Sequence, residues 1–416
     1  MKIKLFIVVL ITLSAVFGCS RQEAQKEIIK QDVKHKITDL AISPDGQTLV
    51  YRVSEGADEI RMPGGGRFVG EDGKYFIVAD EKQGKIYDYV SVPFFSSDSK
   101  TMIYSAKEKG KEFLVVNDNE ITKYDWAKQP VFSDDGKTLA YLAGKNEKMF
   151  IVLGEKETEV NNYEEVKALT LSPDGKTIVY IAMKSGCPVL VVGDKEITGY
   201  DAVSVPSFTP EGKVAFPAKR EEKVFIVVGE KENKMPDYDN VGGLTFSSDG
   251  KTMAYMVSKG EVWKRDEFSG MNRLVKAGKQ CVVVNNKEGE PFDAVSGLIF
   301  NPKSDTVAYR ANEGKKANEF GLPSEEGKWL VVAEDKKGKP YRWVGDLTFS
   351  PDGRALAYKV EDTVKKGDKT VGKEFIVIGT NEEEKYDLVS KPVFLDNSTV
   401  RYFAYDGTNL YRITVK

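Results

Sequence analysis

Histidine and paired carboxylates are the residues of this chain that could bind a metal or catalyse a reaction. The sequence limits the roles that both can have. The sequence holds one histidine, His35. A zinc site built from several histidines is therefore excluded, and a serine–histidine–aspartate triad would have to use His35. Carboxylates are abundant, but aspartate recurs at one position of a repeated turn motif. Tight turns favour aspartate for geometric reasons, so we interpret these aspartates as structural.

Other short motifs lack the context that chemistry requires. Ser269-Gly270 is not a Gly-x-Ser-x-Gly elbow, and the glycines at 64–66 lack a strand-to-helix setting for phosphate. The acidic segments 117–120 and 237–240 lack the spacing of an EF-hand loop. We therefore expect no catalytic residue, no metal and no cofactor. A propeller that binds a small ligand or a carbohydrate stays open as the alternative, including a hydrolase or lyase that uses two carboxylates as acid and base on a sugar or peptide.

Composition indicates a large folded protein with no affinity for nucleic acid. The chain has 416 residues, of which 41% are apolar and 30% are charged. This apolar content is enough for a sizeable core and excludes disorder as the main state. Lys plus Arg total 61 against 64 for Asp plus Glu, a net charge of −3. Without a basic excess, nucleic-acid binding is not expected.

A repeated turn motif organises most of the chain. Ser-Pro-Asp-Gly begins at Ser43, Ser172 and Ser350. Weaker copies centre on Asp98, Asp135, Glu211, Asp249, Lys303 and Asp396. An aromatic residue follows each acidic position after six residues, or after five at Phe216: Tyr51, Tyr104, Tyr141, Tyr180, Phe216, Tyr255, Tyr309, Tyr358 and Tyr402. Successive motifs are 37 to 54 residues apart, which is typical of an array of similar structural units.

Each unit has the pattern of four short strands. An apolar pair precedes the turn, an alternating strand follows it, and a continuous apolar run such as Phe225-Ile226-Val227-Val228 comes third. The fourth strand leads into an aromatic–acidic pair such as Tyr200-Asp201. Short strands with a period near 40 residues predict an all-β protein, a single β-propeller of four-stranded blades.

The turn motif also resembles a known repeat. Ser172-Pro173-Asp174-Gly175-Lys176-Thr177, with Tyr180 following, is similar to the WD40-like propeller repeats of TolB-type proteins and of prolyl oligopeptidase propellers. The resemblance covers about residues 37–410 and implies a propeller fold. It implies little about function, because this repeat class serves many roles. We expect neither the α/β-hydrolase domain of the oligopeptidases nor the separate amino-terminal domain of TolB.

Nine turn motifs predict eight or nine blades. The last unit, from Val393, has residues for three strands. We expect the fourth strand to come from the segment between Ile28 and Ile37, so that pairing of N- and C-terminal strands closes the ring. The predicted organisation is a signal peptide at 1–18, a tether at 19–27 and the propeller at 28–416.

The first residues resemble a bacterial lipoprotein signal. Lys2 and Lys4 precede an apolar run at 5–18, which is short for a bilayer span, and Cys19 follows Gly18. The resemblance implies lipid attachment at Cys19 and a location in the bacterial cell envelope, facing the periplasm or the exterior. An ordinary secretory signal with a chance cysteine is the alternative. Cys187 and Cys281 lie two repeats apart, so we expect no disulfide between them.

Insertions between the second and third strands are the departures from the repeat. They occupy residues 54–73, 257–279, 311–327 and 361–372, in units one, six, seven and eight, and a propeller would place them on one side. Tryptophan, arginine and phenylalanine in them are types enriched at interfaces. The candidate binding residues are Arg61, Arg67, Trp263, Lys264, Arg265, Phe268, Arg273 and Phe320. We expect a monomeric, non-catalytic scaffold for a protein or peptide partner; loops that only pack locally are the alternative.

Overall fold

The structure, a computed structural model, describes residues 24–56, 59–61, 67–69, 73–265, 272–276, 278–314, 327–366 and 369–416. For residues 59–61, 67–69, 262–265, 272–276, 366 and 369–370 it describes the backbone. All regular elements within these ranges are β-strands, so the all-β prediction is confirmed. None of the described segments forms a helix long and apolar enough to cross a membrane.

Nine antiparallel sheets, each four strands deep, are the blades of a β-propeller, so the higher of the two predicted blade numbers is correct. A single strand precedes the first blade: β1 (Ala24–Lys30). Blade 1 contains β2 (Lys36–Ile42), β3 (Leu49–Glu55), β6 (Lys74–Ala79) and β7 (Lys82–Gln83), with a separate hairpin of β4 (Glu59–Arg61) and β5 (Arg67–Val69). Blade 2 contains β8 (Tyr89–Val90), β9 (Phe94–Phe95), β10 (Met102–Glu108), β11 (Lys111–Val116) and β12 (Asn119–Glu120).

The next three blades, like blade 2, have two-residue connections between the strands that carry insertions elsewhere. Blade 3 contains β13 (Trp126–Phe132), β14 (Leu139–Lys145), β15 (Lys148–Leu153) and β16 (Lys156–Glu159). Blade 4 contains β17 (Glu165–Leu171), β18 (Ile178–Lys184), β19 (Cys187–Val192) and β20 (Lys195–Ile197). Blade 5 contains β21 (Ala202–Val203), β22 (Ser207–Phe208), β23 (Val214–Arg220), β24 (Lys223–Val228) and β25 (Lys231–Lys234).

The following three blades carry insertions. Blade 6 contains β26 (Asn240–Phe246), β27 (Met253–Lys259), β30 (Lys279–Val284) and β31 (Lys287–Glu288), with a separate hairpin of β28 (Val262–Arg265) and β29 (Asn272–Lys276). Blade 7 contains β32 (Ala294–Phe300), β33 (Val307–Glu313), β34 (Lys328–Ala333) and β35 (Lys336–Lys337). Blade 8 contains β36 (Trp343–Phe349), β37 (Leu356–Lys366), β38 (Lys369–Ile378) and β39 (Asn381–Glu382).

Blade 9 joins the two ends of the chain. It contains β40 (Leu388–Val389), β41 (Val393–Phe394), β42 (Val400–Tyr405) and β43 (Leu410–Val415), and β1 is its outermost strand. β1 pairs antiparallel with β43 from Ala24 opposite Val415 to Lys30 opposite Leu410, which confirms the predicted pairing of N- and C-terminal strands. Lys26 adds an ion pair with Glu384 at 3.0 Å.

The bounds of this strand differ from the prediction. β1 begins at Ala24, inside the segment 19–27 that we expected to be a tether, and Ile37 lies in β2 of blade 1 instead. An outermost strand exposes much of its surface, and Ala24, Gln25 and Glu27 are exposed. Its sequence therefore lacks the apolar alternation from which a strand start is predicted.

The chain divides into two compact units. One contains the described residues up to Phe94 together with Ala106–Glu108 and Gly345–Lys416; the other contains Phe95–Ser105 and Lys109–Val344. In the first unit, Leu40 and Phe76 of blade 1 share a core with Phe403 of blade 9. In the second unit, neighbouring sheets from blade 2 to blade 7 share similar cores. The third strands lie inside these cores, which explains their continuous apolar sequence.

Turn chemistry explains the repeated aspartate. Ser172 Oγ donates to Asp174 Oδ1 at 2.6 Å and accepts from the backbone N–H of Thr177 at 2.9 Å. Asp174 Oδ1 also accepts from the N–H of Lys176, and Gly175 takes a left-handed φ of 68°. These hydrogen bonds, that of Ser172 above all, lower the pKa of the Asp174 carboxyl. The same bonds recur at Asp98, Asp135, Asp249 and Asp352.

Candidate functional site: the hairpin arms and their bases

Two of the four insertions form ordered hairpins that we expected to be loops. β4 pairs with β5 and β28 pairs with β29, each as a two-stranded sheet separate from its blade. A third insertion is built differently, because β37 and β38 continue their pairing as far as Lys366 opposite Lys369. We call the hairpin β4–β5 arm 1, the hairpin β28–β29 arm 6, and the distal pairs of β37–β38 from Asp362 to Lys373 arm 8.

Several predicted binding residues lie opposite each other in these arms. In arm 1, Arg61 is the register partner of Arg67. In arm 6, Lys264 is the register partner of Arg273, while Trp263 pairs with Leu274 and Arg265 pairs with Asn272. Register thus brings together residues that are six to eleven positions apart in the sequence. Phe268, Phe320 and Cys19, the other predicted site residues, lie outside the described residues.

The aromatic–acidic pairs hold the hairpin turns between neighbouring strands. In blade 5, Asp201 Oδ2 accepts from the N–H of Glu221 at 2.8 Å. At the base of arm 6, Asp239 Oδ2 accepts from the N–H of Glu261 at 2.9 Å. At the base of the insertion in blade 7, Asp293 Oδ2 accepts from the N–H of Gly314 at 2.8 Å. The acidic residue of the pair is therefore a cap for the next hairpin, whether or not that hairpin carries an insertion.

The aromatic residue of the same pair is a brace. Tyr200 Oη donates to Glu232 Oε1 at 2.6 Å, and Arg220 contacts the same carboxylate at 2.7 Å. The Tyr200 ring lies edge-on to Phe216, 5.8 Å between centroids. Burial and the Glu232 hydrogen bond raise the pKa of Tyr200 to about 12. Equivalent tyrosine–glutamate bonds are made by Tyr124, Tyr163 and Tyr238. These residues are structural, in agreement with their repetition.

In three of the insertion-bearing blades, a lysine forms an ion pair with the aspartate of the following aromatic–acidic pair. Lys74 Nζ lies 2.6 Å from Asp88, and Lys373 Nζ lies 2.7 Å from Asp387. Lys279 makes the same ion pair with Asp293. Each lysine begins the third-strand side of an insertion, and its aspartate lies 14 residues later. Exposed pairs of this kind contribute about 0–1 kcal/mol each, so they position the arm bases more than they stabilise the fold.

A buried polar residue marks the base of every insertion. The third residue after the repeat aromatic is Ser54, Ser258, Asn312 or Glu361 in blades 1, 6, 7 and 8, exposed by 3%, 4%, 2% and 6%. Ser54 Oγ, Ser258 Oγ and Asn312 Oδ1 find no hydrogen-bond partner among the described residues. The corresponding residues of blades 2 to 5 are Lys107, Gly144, Met183 and Lys219. Aligning the repeats at this position would have revealed the marker, which our sequence reasoning missed.

A second set of polar residues supports three of the four insertion-bearing blades. Arg52 is 4% exposed; its Nη2 lies 2.5 Å from Asp39 and its Nη1 donates to the carbonyl of Val90 at 3.1 Å. Arg310 occupies the same repeat position in blade 7 and donates to the carbonyl of Val344 at 3.1 Å. In blade 8 Lys359 donates to the carbonyl of Val389. Each cation immediately follows the repeat aromatic, so the sequence carried this signal too.

Blade 8 holds a pair of buried carboxylates that the sequence did not single out. Glu361 and Glu374 are register partners on β37 and β38, and both are buried. Glu374 Oε2 lies 2.8 Å from Lys359 Nζ and accepts from the N–H of Val389 at 2.8 Å. Glu374 is thus held in place by a lysine and a backbone N–H within a structural network. A general acid must reach a substrate, and burial in this network does not favour that role.

The remaining chemically distinctive residues have structural surroundings. His35 Nδ1 lies 3.1 Å from Glu55, and its ring meets Phe76 edge-on at 5.6 Å. Cys187 and Cys281 are both free, so the absence of a disulfide between them is confirmed. Cys281 lies in the core, and burial raises the pKa of its thiol. Within the described ranges, no group of three or more His, Cys, Asp or Glu residues is arranged to hold a metal ion.

Comparisons with known proteins agree with the fold and go no further. No protein-family model and no curated protein matches the chain. A solved eukaryotic initiation factor is similar with a TM-score of 0.49 and 12% identity, over 96% of this chain and 98% of that one. The β-propeller domain of the Trilobed protease from Pyrococcus furiosus is similar with a TM-score of 0.38 and 12% identity, over 74% of this chain and 97% of that one.

An enzyme is also among the similar structures. Oligogalacturonate lyase in complex with manganese has a TM-score of 0.40 and 12% identity, over 84% of this chain and 98% of that one. Likenesses at this level concern the propeller fold and carry no argument about activity. The chain is a nine-bladed β-propeller whose departures from the repeat are the arms and their polar bases.

Proposed function

We propose that this protein is a lipid-anchored bacterial envelope protein whose TolB-like propeller is a non-catalytic scaffold for a protein or peptide partner. One observation carries the proposal: three insertions are ordered hairpins that extend beyond the four-stranded blades. A hairpin loses less conformational entropy on binding than a disordered loop does. The arms are therefore better suited to recognition than the loops that we expected.

The residues of the arms fit an interface with a protein. Arm 6 places Trp263 beside Lys264 and Arg265 on one strand and Arg273 on the other. Tryptophan and arginine are the types that most often dominate binding energy at protein interfaces. In contrast, the repeated serines, aspartates and tyrosines of the blades are occupied by turn, cap and brace hydrogen bonds. The arms therefore offer the functional groups that the repeat does not use.

The anchor is proposed from the amino-terminal sequence. Basic residues, an apolar run and Gly18-Cys19 are together typical of a lipoprotein signal. A diacylated or triacylated cysteine carries more than one chain, which is enough for stable anchoring. An anchored scaffold would concentrate its partner at the envelope.

The test is a mild crosslink in intact cells, followed by purification of the anchored protein and mass spectrometry of what accompanies it. We expect one dominant protein, and we expect Trp263→Ala or Arg265→Glu to lower its recovery at least about tenfold, the effect of losing 1.4 kcal/mol. The melting temperature should stay unchanged, because arm 6 is a sheet separate from its blade.

The matched control is Lys176→Glu in the turn of blade 4, the same charge reversal at an 82% exposed side chain far from any insertion in the sequence. It should leave recovery of the partner unchanged. Loss of thermal stability in Trp263→Ala would show that the tryptophan packs locally, and equal recovery with all variants would contradict arm 6 as the binding element.

A further inference from the structure

The outermost strand of blade 9 has a fixed direction. β1 begins at Ala24, which lies opposite Val415 at the end of β43, and Val415 lies opposite Val400 at the start of β42. Val400 directly follows the turn that contains Asp396. The chain therefore enters blade 9 at the end of the blade that carries its repeat turn.

The repeat turns of blades 9 and 1 lie together. Arg401 Nη1 donates to the carbonyl of Gly46 at 3.3 Å. The Leu395 side chain fills the space beside the Gly46 α-carbon. Gly46 belongs to the repeat turn of blade 1, and Leu395 belongs to that of blade 9. We call this pair of turns, residues 43–48 and 395–399, the turn end.

The arms of the same unit lie at the opposite end of their strands. In blade 1, Glu55 and Lys74 form the last register pair before arm 1, five residues from the turn-end pair of Val50 and Ala79. In blade 8, Lys373 at the base of arm 8 contacts Asp387. Asp387 in turn contacts Gly407, in the turn that connects β42 to β43 at the far end of blade 9. Arms 1 and 8 are therefore separated from Ala24 by the length of a blade strand.

The chain between Cys19 and the fold spans no more than about that length. Four residues, 20–23, separate Cys19 from Ala24, and five peptide links span at most about 18 Å. The five steps of β42 from Val400 to Tyr405 rise about 17 Å, and arm 8 continues for five register pairs past the pair of Glu361 and Glu374. A lipid on Cys19 would therefore hold the turn end near the bilayer surface, and even a fully extended tether folded back along β1 would end short of the arms.

We propose that the turn end of blades 9 and 1 faces a lipid bilayer, and that arms 1 and 8 project away from it. The proposal rests on the proposed lipidation of Cys19. The short tether causes this orientation, and electrostatic attraction does not. The turn end carries the carboxylates of Asp45 and Asp396, which anionic lipid would not attract. The occupant of this surface is thus the membrane, and the arms remain available to a partner from the aqueous side.

The test measures energy transfer from the protein to labelled lipid headgroups. The full lipidated chain is reconstituted into phosphatidylcholine vesicles, with and without phosphatidylglycerol, and Cys187→Ser removes the exposed thiol. A donor dye is attached at Asn397→Cys on the turn end, just before β42, or at Thr408→Cys beyond the other end of β42, both at exposed positions. We expect higher transfer from position 397 than from position 408 in both lipid mixtures. Equal or reversed transfer overturns the proposal.

A variant with a longer tether is the control. Twelve glycine and serine residues inserted between Glu23 and Ala24 would let the propeller tumble, so the difference between the two positions should vanish. A difference that persists would overturn the tether as its cause. Mass spectrometry of the amino-terminal peptide separates this inference from the proposed function: an unmodified Cys19 contradicts the anchor. A synthetic lipid ligated to a chain that begins at Cys19 then tests the orientation by itself, with the same two outcomes.

Discussion

Two buried serines of the described residues differ in whether the repeat uses their hydroxyl groups. Ser172 and Ser258 are both 4% exposed. Ser172 Oγ is bonded within its turn, whereas Ser258 Oγ has no partner among the described residues. A buried hydroxyl without a partner costs about 1–3 kcal/mol. Ser54, Ser258 and Asn312, whose side-chain atoms lack a partner among the described residues, all lie at the bases of insertions.

The two serines give opposite predictions for the same substitution. Ser258→Ala should raise the free energy of unfolding by about 1 kcal/mol, because it removes an unsatisfied hydroxyl. Ser172→Ala should lower it by about 1 kcal/mol, because the Asp174 carboxylate and the Thr177 N–H lose their partner. Urea unfolding measures both. A loss of stability in Ser258→Ala similar to that in Ser172→Ala would show that Ser258 has a partner after all.

Blade 4 shows the shortest connection that a blade needs between its second and third strands, and blade 6 carries arm 6 at the same place. Lys259 and Lys279 are the last register partners of blade 6 before arm 6, and Lys184 and Cys187 hold the same place in blade 4. In blade 4 two residues, Ser185-Gly186, close the hairpin with left-handed φ values of 51° and 72°. Blade 6 therefore has all the pairing it needs without its insertion, and arm 6 is an addition to a complete sheet.

We therefore expect arm 6 to be removable. Replacing residues 260–278 by Ser-Gly, as in blade 4, should change the free energy of unfolding by less than about 1 kcal/mol while recovery of the partner is lost. Loss of the Asp239 cap on Glu261 is the main cost, about one hydrogen bond. Circular dichroism melts and the crosslinking assay measure the two effects. A chain that no longer folds would show that blade 6 depends on its arm.

At the scale of the whole chain, the two ends meet in one sheet. β1 supplies the outer strand of blade 9 through six register pairs with β43. Lys26 lies over the rings of Tyr386 and Tyr411, at 4.8 and 4.3 Å, and Glu27 pairs with Arg412 at 2.9 Å. The strand that would lead to the membrane anchor is thus also a structural strand.

Removal of this strand should be costly. A chain that begins at Gln31 should lose more than about 2 kcal/mol of unfolding free energy relative to one that begins at Ala24, at about 1 kcal/mol for each ladder hydrogen bond. Its exposed β43 edge should also promote association, which size-exclusion chromatography detects. Chains that begin at Ser20 and at Ala24 should be equally stable. Equal stability of all three chains would contradict the closing role of β1.

Repetition let the sequence by itself determine the fold. The turn motif, the aromatic six residues later and the apolar third strand recur because every blade has the same local structure. From the nine turn motifs, local rules predict four-stranded blades and a strand from the amino terminus that completes the last one. The bounds of β1 could not be predicted, since an exposed outer strand such as Ala24–Lys30 has little apolar alternation.

The tertiary structure decided what the departures from the repeat are. Strand register places Arg61 opposite Arg67 and Lys264 opposite Arg273, a relation between distant positions that composition and local propensity do not contain. The lack of a partner for Ser258 Oγ among the described residues and the direction in which Ala24 enters blade 9 likewise depend on which atoms lie nearby in space. Local periodicity determines the blade, whereas burial, register and direction arise when the sheets pack together.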